Sequence, residues 1–166
     1  MIQVAILTIS DSVVAGTRQD RSGEKLRDRA QSLGWSAQMS EVVPDEPDQI
    51  AAVLERWADS GQVSVILTTG GTGVALRDVT PEATARVIER AIPGMAELMR
   101  SEGLKATPFA ALSRGLAGVR GRCLIVNLPG SPKGAVESLD AIAKLVPHVV
   151  DLLEGRTSHA DAPVPH

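Results

Sequence analysis

Short apolar runs that alternate with amphipathic helical patterns predict an α/β protein of three layers, α/β/α, built on a mostly parallel central sheet. Three observations carry the prediction. The runs Gln3–Ser10, Val63–Thr69 and Leu124–Leu128 are β-branched and apolar throughout, as a strand covered on both faces requires. Helical periodicity fills the intervals between them, and parallel strands need such crossovers. Two helix starts, Thr80-Pro81-Glu82 and Ser131-Pro132, each come after an apolar run.

In chain order, Gln3–Ser10 is the first strand. Arg21–Leu33 is helical through Leu26, Ala30 and Leu33, with Gly34 closing it. Trp35–Val43 alternates more and suits a strand nearer the sheet edge. In DQIAAVLERWADSG, Ile50, Val53, Leu54 and Trp57 recur at helical spacing, and Gly61 stops the run. Val63–Thr69 is the next strand. Thr80 supplies a capping hydroxyl ahead of Pro81 for the following helix. From Pro93 to Gly121 the pattern yields only a helix around Met95–Glu102. Leu124–Leu128 is followed by a helix carrying Val136, Leu139, Ile142 and Ala143. The tail RTSHADAPVPH, residues 156–166, has two prolines and no periodicity, so it is expected to be disordered beyond a single domain of residues 1–155.

Composition excludes several classes. A formal charge of -3 offers no basic field for nucleic acid, and with Trp35, Trp57 and Phe109 as the aromatics there is no platform for stacked bases. The lone Cys123 lies in the apolar run CLIVNL and reads as a buried structural thiol. His148 sits in a helical pattern away from any strand end, so zinc chemistry and acyl transfer are poorly served. The opening MIQVAILTIS lacks a basic leader and no apolar run reaches the length of a membrane span; a cytoplasmic protein without membrane partner is expected.

The unusual residues fall at strand ends, in SDSVVAG, VPDE, TGGTGVALRD and NLPGSPKG, and ligands of open α/β sheets collect beyond those ends. Gly70-Gly71-Thr72-Gly73 can bring backbone N–H groups to a phosphate, since glycine permits positive φ and adds no side chain. A plain turn would need one glycine. Neither a Walker loop nor the dinucleotide fingerprint fits, because no GK[ST] follows and Leu76 stands where the third glycine belongs. NLPGSPKG offers a second anion cradle through Ser131, the helix start and Lys133; the plainer reading has Ser131 as a cap and Lys133 as a solvated cation. Asp45 and Asp78 stand in strand-to-helix loops, where either could cap a helix. Two carboxylates beside two phosphate cradles also suit a hard, oxygen-bound cation, and Mg²⁺ is the implied cofactor.

TTGGTG followed by RDVTPE, with SDSVVAGTRQDRSG, VPDE and NLPGSPKG, resembles the MogA/MoaB family of molybdenum-cofactor biosynthesis over residues 1 to 155. The resemblance implies a homotrimeric molybdopterin-binding, MogA-like fold and, for the MogA type, adenylylation of molybdopterin by Mg-ATP with release of pyrophosphate. It implies that Gly70, Gly71, Thr72 and Gly73 hold the nucleotide and that Asp78 and Asp45 serve as catalytic, metal-holding residues. Pro129, Gly130, Ser131 and Lys133, with Ser10 and Asp11, would meet molybdopterin. A MoeA-like metal-insertion protein would be a partner. The MoaB type implies instead a carrier or scaffold for the pterin without turnover.

Overall fold

The computed structural model describes residues 1–156, so the expected disorder of the tail lies, past Arg156, outside the described residues. The elements run β1 (Gln3–Ile9), α1 (Asp11–Val14), α2 (Arg21–Ser32), β2 (Ser36–Val43), α3 (Pro47–Asp59), β3 (Val65–Thr69), α4 (Thr80–Val87), β4 (Arg90–Ala91), α5 (Pro93–Gly103), a 3-10 turn (Pro108–Leu112), β5 (Ala117–Arg120), β6 (Cys123–Leu128), α6 (Pro132–Ile142) and α7 (Val146–Leu153). The strands form one mixed sheet in the order β2-β1-β3-β6-β5-β4. β2, β1, β3 and β6 are parallel; β5 runs antiparallel to both β6 and β4.

Side-chain alternation along β1 explains the layers. Val4 and Ile6 face α2, α5, α6 and α7, in a core with Leu26, Met95, Leu139 and Val146. Ala5, Leu7 and Ile9 face α3 and α4, packing with Ile50, Leu54, Trp57 and Val87. β3 and β6 are buried along their whole length, as their predominantly apolar sequences suit, whereas β2 alternates because it is the edge strand. A fully buried leucine such as Leu26 or Leu54 contributes about 1.5–3 kcal/mol by leaving water. Cys123 is buried, as expected, with its thiol pushed up to about 12, chiefly by desolvation.

Some local expectations are corrected. The α4 start has Val79 at its cap position without a side-chain bond, and the Thr80 hydroxyl donates instead to the Gly70 carbonyl at 2.9 Å. Burial explains the choice, since that carbonyl has to be satisfied away from water. Ser131 does cap α6, accepting the Gly134 N–H at 3.1 Å. Between Leu104 and Gly121 lie the 3-10 turn and β5, elements too short to show periodicity. Before β1, Met1 and Ile2 border a small hollow whose other side is Val150 and Glu154 at the end of α7. Among the described residues no helix is long and apolar enough to cross a membrane.

Candidate functional site

Because β1, β2, β3 and β6 are parallel, the loops leaving them emerge at one edge of the sheet. A hollow of about 980 Å³ lies there. Ser10 and Asp11 line it after β1, Asp45 after β2, Gly70, Gly71 and Asp78 after β3, and Gly130 and Ser131 after β6. A second hollow of about 420 Å³ shares Gly71, Asp78, Gly130 and Ser131. It adds Thr72, Gly73 and Pro129, and a largely apolar wall of Met99, Phe109 and Leu112. The sheet thus brings together every sequence-predicted site residue except Lys133. That side chain lines neither hollow; it is 83% exposed on α6 with its ammonium 3.8 Å from Glu137.

The glycines make this convergence possible. Gly70 and Gly71 have φ of +102° and +68°, in the region side chains resist. A β-carbon on Gly70 would lie 2.3 Å from the Ile9 carbonyl oxygen, and one on Gly130 would lie 3.3 Å from the Gly70 α-carbon. One on Gly73, whose φ is not positive, would lie 2.8 Å from an Asp78 carboxylate oxygen. The loops therefore nest backbone against backbone, which a ligand-only account of the glycines does not anticipate. The Gly70 N–H donates to the Leu128 carbonyl at 3.2 Å and the Thr69 hydroxyl to the Pro129 carbonyl at 2.7 Å, so the two cradles are tied to each other.

Two arginines and an asparagine that sequence reasoning passed over hold this edge together. Arg114, ahead of β5, donates its guanidinium to the Gly73 and Asp78 carbonyls, both at 2.7 Å, and pairs with Glu82. Its backbone N–H donates to the Thr72 carbonyl at 2.8 Å. Arg77 forks onto both Asp11 carboxylate oxygens and reaches Glu46 at 3.1 Å. Buried Asn127 donates to the Thr68 and Thr84 hydroxyls and accepts the Leu116 N–H, tying β3 and β6 to α4. Arg77 lies inside the RDVTPE run, but its partners stand 66 and 31 positions away, and no local pattern names them.

Neither aspartate caps a helix. Asp45 and Asp11 exchange bonds: each backbone N–H donates to the other's carboxylate at 3.0 Å. Asp78 accepts the Ala75 N–H at 3.0 Å. Asp45 and Asp78 have no ion-pair partner among the described residues, and in each of these bonds one carboxylate oxygen is used and one left over. Burial pushes the Asp45 carboxyl above its ordinary value, with the Asp11 and Asp78 charges adding to the rise against the Asp11 N–H. Asp11 is held below its ordinary value by the Asp45 N–H and by Arg77. This donor set fits Mg²⁺, which takes one or two protein carboxylates and completes its shell with water and substrate phosphate. No group of three or more metal-ligating side chains is present among the described residues, so a caged metal does not fit.

The chain matches the family described as a probable molybdopterin binding domain over residues 5–148. It is 42% identical over 156 residues to the molybdopterin adenylyltransferase of Helicobacter pylori, covering 93% of this chain and 89% of that protein. It is 44% identical to the molybdenum cofactor synthesis protein cinnamon of Drosophila melanogaster, covering 92% of this chain but 26% of that much longer protein. Its fold superposes with a TM-score of 0.88 on the molybdopterin biosynthesis enzyme MoaB of Thermus thermophilus, at 53% identity and with 93% and 98% of the two chains covered.

Proposed function

The chain belongs to the probable molybdopterin binding domain family, and from that premise we propose that it transfers the adenylyl group of Mg-ATP to molybdopterin, releasing pyrophosphate. The reading is carried by one observation: two hollows meet at Gly71, Asp78, Gly130 and Ser131. Two substrates lodged on either side of that boundary would share it as the place where the adenylyl group is passed.

In this reading the backbone of Gly70–Gly73 holds the nucleotide, while Ser10, Pro129, Gly130 and Ser131 meet the pterin and its phosphate. Asp11 acts through position, its carboxylate being engaged by Arg77 and the Asp45 N–H. Lys133 stands aside, with its charge turned toward Glu137. Asp45 and Asp78 would hold Mg²⁺, which when bound neutralises charge on the triphosphate. An oxygen of the molybdopterin phosphate attacks the α-phosphorus of ATP; that O–P bond forms as the bond to the bridging oxygen breaks, and pyrophosphate departs with the electron pair. A phosphate monoester is already anionic near neutral pH, so no general base is required. The residues need only align and screen the two anions.

We place the activity in a single domain of residues 1–155, working as a cytoplasmic homotrimer that passes adenylylated pterin to a MoeA-like metal-insertion protein. A second reading is a MoaB-like carrier without turnover, in which the hollow walled by Met99, Phe109 and Leu112 holds the pterin and the other hollow serves no transfer. Incubating the purified chain with molybdopterin and Mg-ATP separates the two. Stoichiometric pyrophosphate and adenylylated pterin support transfer, whereas pterin binding without either product supports carriage.

A further inference from the structure

The mouth of the larger hollow holds more acid than a single cation needs. Asp11, Asp45 and Asp78 line it, and Arg77 links Asp11 to a fourth acid, Glu46, the chain neighbour of Asp45. Its guanidinium is not shared equally. Nε and Nη2 contact the Asp11 carboxylate at 2.9–3.1 Å, and Nη2 also reaches Glu46, while neither Asp45 nor Asp78 has an ion-pair partner among the described residues. The Arg77 side chain is 58% exposed, so packing is not its main contribution. Asp11 in turn accepts the Asp45 N–H and donates its own N–H to the Asp45 carboxylate.

We propose that Arg77 is a positioning residue for the cation-holding pair: by occupying Asp11 and Glu46 it leaves Asp45 and Asp78 as the carboxylates open to a divalent cation, and through Asp11 it fixes where Asp45 points. Without it, Asp11, bonded to Asp45, and Glu46, the next residue in the chain, become anionic ligands that compete with the intended pair. A cation is then attracted more strongly but sits less often where the triphosphate needs it. The turnover consequence rests on the adenylylation reading; the binding consequence does not.

The test uses the full chain and its Arg77→Gln, Arg77→Lys and Arg77→Gln/Asp11→Asn variants, with Mn²⁺ alone as the probe, titrated by electron paramagnetic resonance. Arg77→Gln should bind Mn²⁺ about threefold more tightly or better, the scale of one exposed charge pair. Its kcat should fall about tenfold or more while the KM for ATP moves less than about threefold, because ground-state nucleotide contacts are untouched. Melting should stay near that of the parent chain. Asp11→Asn on that background removes the freed charge yet keeps an oxygen to accept the Asp45 N–H, so it should return Mn²⁺ affinity toward the parent value and recover part of kcat. Arg77→Lys, retaining charge but not the fork, should fall between the parent and Arg77→Gln. Unchanged Mn²⁺ affinity in Arg77→Gln, or no reversal on adding Asp11→Asn, overturns the proposal. If the parent chain forms no adenylylated pterin, the adenylylation reading fails, and the Mn²⁺ titrations still decide the role of Arg77 by the same criteria.

Discussion

A β-carbon on Gly71 would stand 2.3 Å from the hydroxyl oxygen of Thr80, whose side chain is buried and donates to the Gly70 carbonyl. Gly71→Ala therefore meets two penalties, a positive φ worth about 1–2 kcal/mol and a contact that cannot relax without breaking the Thr80 bond. The expected outcome is a melting temperature lowered by roughly 4–8 °C together with loss of nucleotide use. Thermal denaturation followed by a nucleotide-binding titration checks it; unaltered melting would mean that the loop yields more easily than its packing indicates.

Asp78→Asn keeps an oxygen able to accept the Ala75 N–H, so the loop should hold its shape while the charge disappears. Turnover should drop by at least about a hundredfold, on the order of 3 kcal/mol of transition-state stabilisation, with melting unchanged. Pyrophosphate release at saturating Mg²⁺ is the measurement. A rate within a fewfold of the parent would remove Asp78 from the cation site.

Ser131 both caps α6 and lines the two hollows, so replacing it with alanine would mix a capping loss with a binding loss. Ser131→Gly avoids this, because glycine at a cap position costs only a few tenths of a kcal/mol. Molybdopterin affinity should fall about tenfold or more, the worth of a hydrogen bond to a charged group, while ATP affinity and melting stay close to the parent. Equal pterin affinity would take the hydroxyl out of the pterin site.

Cys123 ties stability to alkaline pH. Its thiol ionises at about 12 in the native chain against an ordinary value of 9.0, mainly because burial disfavours the thiolate. The unfolded chain loses this proton first, so the stabilising contribution is whole below the ordinary value and declines as pH rises from there toward the native one. Urea midpoints measured between about pH 8 and about pH 10 should fall more steeply for the parent chain than for Cys123→Ala. Parallel curves would contradict the burial of the thiol.

Much of this architecture is legible in one dimension. β1, β3 and β6 announce themselves because strands covered on both faces are predominantly apolar, and α3 because one face of it meets the sheet. β4 and β5 do not, since two residues of one and four of the other cannot display a period. At the site, Asp45, Asp78 and the glycines stand out by being improbable residues for plain connections. Arg77 and Arg114 are hidden by contrast: an arginine in a polar loop is commonplace, and what makes these two different is a set of acceptors 31 to 66 positions away, which only the closed sheet supplies. Thr80 misleads for the opposite reason, because it has a strong local signal as a cap and a stronger long-range obligation to Gly70.

Met1 and Ile2 border the same hollow as Val150 and Glu154, at the edge of the sheet where β1 begins, while the ligand-facing loops leave from the edge where β1 ends. The start of β1 and the end of α7 are therefore neighbours, with the length of the strands between them and the candidate site. Such a layout keeps stability and chemistry apart: substitutions at this far edge, in α7 or in an exposed turn such as Gly121-Arg122, can retune the fold without redrawing the cavity.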